Sequence, residues 1–532
     1  MLRARHPRGV SGPPRIVTDP DVLAAFLEDA AHFSGGHSNG VSAINSEADA
    51  AAILKGGAAV LPIGAQSSLT GGATPMGEIL LGTSRLNRIL EIGSDFVRVQ
   101  AGVTLAELDA ALERVNRYYP PAPTFAGAFV GGTLATNAAG AATFKYGTTR
   151  DWVRALTVVL PSGDVLDIER GATRAARDGH FQIELESGTL RIPVPRYRMP
   201  NVPKRSAGYF AEPEMDLIDL FIGSEGTLGV ITEATLGLVD VRPAFCLAFV
   251  PFGDRAAALA LVRRLRDAAH GTWASRDPHG IDVAAIEHID RRSIELLRED
   301  GIDRLHGVVF PERTAIALLV TLELPSETTS AQAFDEIGAA RGSGAPDTPL
   351  VRLCRVLDEA GVLDDVDIAV PGDRMRADQL LAVREAVPAA VNRRVGLAKQ
   401  AIDSRIEKTA ADMIVPFDAF DELLARYDEE FARRGLDAAV WGHISDGNVH
   451  PNVIPRSYDD VEQGKAAILA LGREVIRLGG SPLAEHGVGR NSVKQQLLIE
   501  LYGRDGVDDM RRVKQAFDPG WRLAPGVIFS RE

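Results

Sequence analysis

The chain has 532 residues, 45% of them hydrophobic and 24% charged, enough to bury cores in at least two domains. A net charge of −14 leaves no basic stripe to track a phosphate backbone, so nucleic acid is excluded as a partner; a local basic patch facing an acidic substrate stays open. Two cysteines, Cys246 and Cys354, exclude a disulfide framework, fit a reducing compartment and read as small buried hydrophobes.

In chain order, Met1 to Arg15 carries Arg3, Arg5, Arg8 and Arg15, but no apolar run follows. It reads as a frayed basic tail rather than a secretory signal, with a transit peptide left open. No stretch reaches the roughly 18 continuous apolar residues of a membrane helix. A cytoplasmic protein is expected, with docking at a membrane surface left open. Ser46-Glu47-Ala48-Asp49 opens a short alanine-rich helix, and Ala58 to Leu61 reads as a buried strand ending at Pro62.

The next stretch, Pro62-Ile-Gly-Ala-Gln-Ser-Ser-Leu-Thr-Gly-Gly-Ala-Thr-Pro75, concentrates glycines and hydroxyl side chains. Glycine admits φ > 0 and close backbone approach, so successive N–H groups can converge into a nest suited to a pyrophosphate. The pattern is neither G-x-G-x-x-G nor G-x-x-x-x-G-K-[ST], which excludes the usual dinucleotide and nucleotide loops. Alone, such a loop is equally a plain turn. Val97 to Ala101 alternates as a half-buried strand, and Thr104-Leu-Ala-Glu107 is a capping box starting a helix through about Asn116. Gly127 to Gly147 is rich in small residues, with Thr133, Thr136 and Asn137 as donors. Trp152–Leu160 and Val165–Ile168 read as two strands about a Pro-Ser-Gly-Asp turn. Phe221 to Thr232 reads as strand, glycine turn, strand. Three glycine-rich segments point to one extended cofactor.

Beyond Asp240 the reading changes. Apolar strands Cys246–Val250, Ile316–Leu324 and Met413–Pro416 alternate with amphipathic helices such as Arg255–Ala268 and Phe417–Arg434. This suits an antiparallel sheet backed by helices, with Arg341 to Pro346 an exposed loop. In Trp441-Gly-His-Ile-Ser-Asp-Gly-Asn-Val-His-Pro-Asn452, Asp446-Gly447 signals a two-residue hairpin loop. That register sets Ser445 against Asn448, Ile444 against Val449 and His443 against His450, with Cβ atoms roughly 4.5–5.5 Å apart. Convergent neutral histidines suit a divalent metal, whereas the bland alternative is a polar hairpin with solvated histidines. The adjacent Glu485 and His486 suit one metal ligand and one base.

Several motifs resemble the FAD-linked oxidase superfamily, of the vanillyl-alcohol oxidase or PCMH type. They are P-x-G-x-x-S-S-L-T-G-G from Pro62, G-G-T-L-A-T-N-A-A-G from Gly131, K-Y-G-T-T-R-D-W-V from Lys145 and G-S-E-G-T-L-G-V-I-T from Gly223. With G-H-x-x-D-G-N-x-H from Gly442 and E-H-G-x-G from Glu485, they are most similar to its D-lactate/glycolate/D-2-hydroxyglutarate dehydrogenase branch, over about Ser46 to Ile528. The resemblance implies an α+β fold. Its expected parts are a tail and helix over 1–45, a two-part FAD-binding PCMH-type domain over 46–240, a cap or substrate domain over 241–460 and a helical segment over 461–532 returning to the FAD site. It implies flavin contacts at Pro62, Gly64, Ala65, Gln66, Ser67, Ser68, Thr70 and Gly71. Further contacts are implied at Gly131, Thr133, Thr136, Asn137, Gly140, Tyr146 and Gly147, and at Glu225, Gly226, Gly229, Val230 and Ile231. Many relatives hold FAD covalently through a histidine in the first loop; this loop has none, so noncovalent FAD is expected.

The resemblance also implies metal ligation by His443, His450 and Glu485, by Zn2+ with Mn2+ or Fe2+ as alternatives, and proton abstraction by His486. Arg384, in Val383-Arg-Glu-Ala-Val-Pro388, matches the arginine that meets a substrate carboxylate. Read alone, it is equally a surface Arg–Glu pair on a helix. Lys399 and Lys408 compete for the family's substrate lysine. Ser445 stands where the family has glycine, and Ala524-Pro525-Gly526 where it commonly has N-P-G. The implied activity is oxidation of a 2-hydroxy acid to the 2-oxo acid, with a quinone, cytochrome or electron-transfer flavoprotein as electron acceptor, and a homodimer as one assembly. Ether-lipid synthesis of the alkylglycerone-phosphate synthase kind and aromatic alcohol oxidation remain alternatives, as does a flavin-carrying subunit without its own substrate.

Overall fold

The computed structural model describes residues 2–9, 15–121, 123 and 125–532. The chain divides into two units. The first comprises Met1–Gly140, Gly147–Asp240 and Gly479–Glu532, and the second comprises Ala141–Tyr146 and Val241–Leu478.

The first unit contains a parallel three-stranded sheet ordered Gly40–Ala43, Ile79–Gly82, Val60–Ile63. Its crossover is the helix Glu47–Lys55, capped by the Ser46 hydroxyl, which accepts from Asp49 N. Val60–Ile63 runs through Pro62 rather than stopping at it; as an edge strand it tolerates the missing donor. Ile53, Leu54, Val60 and Leu81 form a core with Val159, Val165, Val230 and Leu523. A five-stranded antiparallel sheet follows the order Ile89–Ile92, Phe96–Gln100, Val230–Gly237, Val153–Val159, Val165–Glu169. The helix Leu105–Glu113 begins with the expected capping box. The basic N-terminus does not simply fray. Leu2–Arg3 pairs in parallel with His180–Leu185, and the Arg5 guanidinium donates to Glu47 and Asp167, which fixes residues 2–5 to the unit, while residues 1 and 10–14 lie outside the described residues.

In the second unit, antiparallel strands follow the order Asp367–Ala369, Ala244–Phe252, Ile316–Leu324, Val283–Asp290, Ala438–His443, Asn448–Val453, Thr409–Ala410. Met413–Ile414 also pairs with Asn448–Val453. Alternate residues Leu247/Phe249, Ala317/Leu319 and Ala439/Trp441 share a core with Leu380, Val383, Val387 and Val391 of the helix Arg374–Ala401 and Ile294 and Leu297 of Arg291–Glu299. Period-2 alternation puts these residues on one sheet face. The fold is α+β, and this unit is the antiparallel sheet backed by helices that the sequence predicts. Cys246 and Cys354 are buried and free.

The chain returns to the first unit at Gly479 rather than 461, because the helix Tyr458–Arg477 packs on Phe420–Arg433 and on Asn448–Val453 of the second. The segment before the third glycine turn, Ile218–Phe221, is a helical turn and not a strand. Among the described residues, no helix is long and apolar enough to cross a membrane.

Candidate active site

The three glycine-rich segments meet within the first unit. Gly223 N donates to Leu134 O at 3.0 Å and Glu225 N to Ala135 O at 2.7 Å, joining the third segment to the second. A Cβ added at Gly226 would lie 3.5 Å from Pro62, where the first begins. Several glycines are sterically required. A Cβ at Gly71 (φ +74) would lie 2.6 Å from Phe33, one at Gly131 2.7 Å from Ala101, and one at Gly229 2.4 Å from Val158. At Gly132 a Cβ would meet no described atom within 4 Å, so the backbone there is open to an approaching group.

Side chains in these loops mostly shape the loops themselves. Gln66, at φ 51, donates to Phe26 O at 3.0 Å and Ala73 O at 2.8 Å. Ser68 and Thr70 hydroxyls bond each other, while Thr133 and Thr136 hydroxyls donate to carbonyls of their own helix, Val130–Thr136. Asn137 ends that helix in the left-handed region and accepts from Arg150 N at 2.9 Å. Gly147 (φ +75) follows, and Val230 and Ile231 pair with Val159 and Val158. These side chains are therefore engaged mainly with the loops' own backbone. Tyr146 stands apart: its short segment, Ala141–Tyr146, groups with the second unit after Gly140, and its hydroxyl donates to Glu323 at 2.7 Å.

The second unit brings three predicted residues together. His443 ends the strand Ala438–His443, and a turn of 3-10 helix, Ile444–Asp446, replaces the expected two-residue loop. Asp446 accepts from Asn448 N, Ser445 Oγ accepts from Ile286 N, and Gly447 takes the left-handed conformation. The longer loop moves the register: His443 lies opposite Asn448, and Trp441 opposite His450. A two-residue shift preserves the face, so the imidazoles become diagonal neighbours on one side, ring centroids 5.6 Å apart. Only 2% and 5% exposed, they are not the solvated pair of the bland alternative.

Each histidine has a carboxylate beside Nδ1. For His443 it is Glu287 at 3.1 Å; for His450 it is Asp412 at 3.5 Å, itself fully buried and bonded by Asn448 Nδ2 at 3.1 Å. A carboxylate near Nδ1 that accepts its proton would leave Nε2 as the donor atom for a metal, the arrangement that orients metal-binding histidines. This pair fits a divalent ion.

Glu287 also accepts from Arg384 Nη2 at 3.0 Å. Burial raises its carboxyl, but the Arg384 and His443 charges and hydrogen bonds prevail and hold it down at about 2. Arg384 is only 6% exposed and bonds Glu287 rather than its neighbour Glu385, so it is no surface pair; its Nε is buried with no hydrogen-bond partner among the described residues. Lys399 is not brought to it. Fifteen residues along the same helix, Lys399 stands about 22 Å away at 1.5 Å per residue. Lys408 directly precedes the strand Thr409–Ala410, which pairs with Val453 and Asn452.

In the first unit, Glu485 and His486 lie on the loop after Gly479–Gly480. Glu485 is buried and pairs with Lys204 Nζ at 2.8 Å, and its other oxygen is 3.4 Å from His486 Nε2. Four lone-pair sites on the carboxylate leave it able to bind a metal as well as Lys204. The Glu225 carboxylate accepts from Val488 N and Gly489 N, each at 2.8 Å. Burial outweighs those bonds and the nearby Lys494, raising its pKa to about 7. Sequence reasoning missed Glu287, Asp412 and Lys204 as site residues. A lone carboxylate in the apolar run Val283 to Ile289 is the signal for the first, whereas Lys204 carries none.

Glycine-rich loops that converge in the first unit, and a buried histidine pair in the second, fit the class of FAD-dependent oxidoreductases. The family described as FAD linked oxidases, C-terminal domain, matches residues 244–528, and the FAD binding domain matches 39–169. The chain therefore belongs to the FAD-linked oxidases. It is 28% identical to a D-lactate dehydrogenase of Anaerostipes hadrus, covering 88% of this chain and 84% of that one. It is equally similar to the glycolate oxidase subunit GlcD of Bacillus subtilis (28%; 89% and 84%) and to a D-2-hydroxyglutarate dehydrogenase of Xanthomonas citri pv. viticola (28%; 88% and 84%). Among solved structures, an alkyldihydroxyacetonephosphate synthase matches with TM-score 0.58 at 14% identity over 99% of this chain and 89% of that one, a likeness of fold alone.

Proposed function

We propose that this enzyme oxidises a 2-hydroxy acid, of the D-lactate or D-2-hydroxyglutarate kind, to the 2-oxo acid. One observation carries the reading: a single buried carboxylate, Glu287, accepts from Arg384 and lies 3.1 Å from His443 Nδ1. A 2-hydroxy acid has its carboxylate and hydroxyl on adjacent carbons, so it needs a fixed cation for one close to a group that engages the other. Arg384 is the cation, and its unused Nε with a second guanidinium nitrogen matches a carboxylate in bidentate fashion.

His443 and His450, with Glu485, would hold a divalent ion, Zn2+ before Mn2+ or Fe2+; three protein ligands leave a position for the substrate oxygen. FAD is held without a covalent link by the three glycine segments. When bound, the ion would supply Lewis acidity toward the substrate hydroxyl, and FAD would supply a hydride acceptor. His486 removes the hydroxyl proton. Arg384 keeps the acid from rotating while the α-carbon loses its hydrogen with two electrons, so one proton and one hydride leave and the alcohol becomes a ketone. Lys408, rather than the distant Lys399, is the lysine of this site. A quinone, cytochrome or electron-transfer flavoprotein takes the electrons onward. Anaerobic addition of D- and L-2-hydroxy acids, with and without chelator, tests the reading through bleaching of the flavin absorbance.

A further inference from the structure

Beyond the ligands and the base, the loop that carries Glu485 and His486 needs something to hold its shape. It has little regular structure. Gly487 and Gly489 both take left-handed φ, at +74 and +58, so the chain turns sharply just after His486. A half-buried carboxylate, that of Glu225, sits inside that turn. We propose that Glu225, resting on the reading of His486 as the base, is a positioning residue that fixes the His486 loop to the flavin-binding segments.

Glu225 Oε1 accepts from Val488 N and Oε2 from Gly489 N, both at 2.8 Å. A carboxylate is acceptor-only and can serve two N–H groups at once; an amide would turn an N–H toward one of them. Desolvation pushes its pKa up to about 7, and the two N–H donors and the Lys494 charge oppose that rise. Glu225 is itself held from the other side. Its backbone, at φ 50, donates to Ala135 O at 2.7 Å, and Gly223 N bonds Leu134 O. One residue thus ties the second and third glycine segments to the turn that follows His486.

The fit is tight. A Cβ on Gly487 would lie 2.8 Å from Glu225 Oε1, and one on Gly489 2.3 Å from Thr70 Oγ1 of the first segment. Lys494 Nζ closes the turn from the far side, donating to Gly487 O at 3.3 Å. The positioning role adds to the place the resemblance gives Glu225 among the cofactor residues.

The test uses Glu225→Gln and Glu225→Asp holoenzymes. Glu225→Gln should keep its FAD and bind substrate within about twofold of wild type. Its flavin should be reduced about 10- to 100-fold more slowly, since small displacements of a catalytic group cost rates of that order. Hydrogen–deuterium exchange should rise at the peptide spanning 485–490 and not in the Ile316–Leu324 strand. Glu225→Asp, which keeps both acceptors, should recover part of the rate. Unchanged exchange at 485–490, a wild-type reduction rate, or loss of FAD from both variants would overturn the proposal. The exchange measurement needs no substrate, so it still judges the clamp if no hydroxy acid reduces the wild type, an outcome that would remove the proposed activity alone.

Discussion

Arg384 Nη2 lies 3.0 Å from Glu287, on a strand 97 residues earlier in the chain, and the two are buried together. If this guanidinium meets the substrate carboxylate, Arg384→Ala should raise KM by roughly 10- to 150-fold, corresponding to about 1.5–3 kcal/mol for a charged hydrogen bond. It should also lower stability by about 3–5 kcal/mol, because Glu287 is left buried without its cation. Adding Glu287→Gln should restore stability but not KM, and steady-state kinetics with thermal melts on both variants separate the two effects. Lys408→Ala should raise KM and Lys399→Ala should not.

Glu287 also sets a pH dependence. Its carboxyl is held at about 2 when folded, below the 4.5 of an unperturbed glutamate. A lowered carboxyl contributes stability above the unfolded value and loses it as pH falls toward the folded one. Melting of the wild type should therefore weaken between about pH 4.5 and 2, and Glu287→Gln should show a shallower fall over that window. Parallel curves would detach Glu287 from the Arg384 charge.

Exchanging the histidines should separate base from ligands. His486→Ala should slow flavin reduction about 10²–10⁴-fold while metal and FAD stay bound. His443→Ala or His450→Ala should instead lose the metal, read by elemental analysis of the purified protein. A wild type that is metal-free yet fully active would return these histidines to acid–base or structural roles.

The flavin should come free on acid precipitation, since the loop Pro62 to Pro75 has no histidine to carry it. Yellow colour left in the pellet would contradict a noncovalent cofactor.

Much of this was legible in the chain because local rules agreed. The Thr104–Glu107 capping box, the Ser46 cap and the strand Ile316–Leu324 stand as the residues predict. The face shared by His443 and His450 was legible too, although their register was not: period 2 survives an even shift, while the longer loop includes Ser445, which accepts from Ile286 N across 159 residues. Glu287, Asp412 and Lys204 were hidden for the same reason. Each matters through a partner distant in sequence, and neither periodicity nor spacing records such partners. The stretch from Phe221 read as opening on a strand because a short apolar run does not distinguish a strand from the end of a buried helical turn, here Ile218–Phe221.

The most direct test of the account is anaerobic stopped-flow reduction of the bound FAD by paired D- and L-2-hydroxy acids, beside the same acids with the hydroxyl methylated. The account predicts bleaching by at least one free 2-hydroxy acid, loss of that bleaching after chelation, and none with its methyl ether, which has no proton for His486 to take. A flavin that every 2-hydroxy acid leaves oxidised, or one bleached equally by the ether, would contradict it.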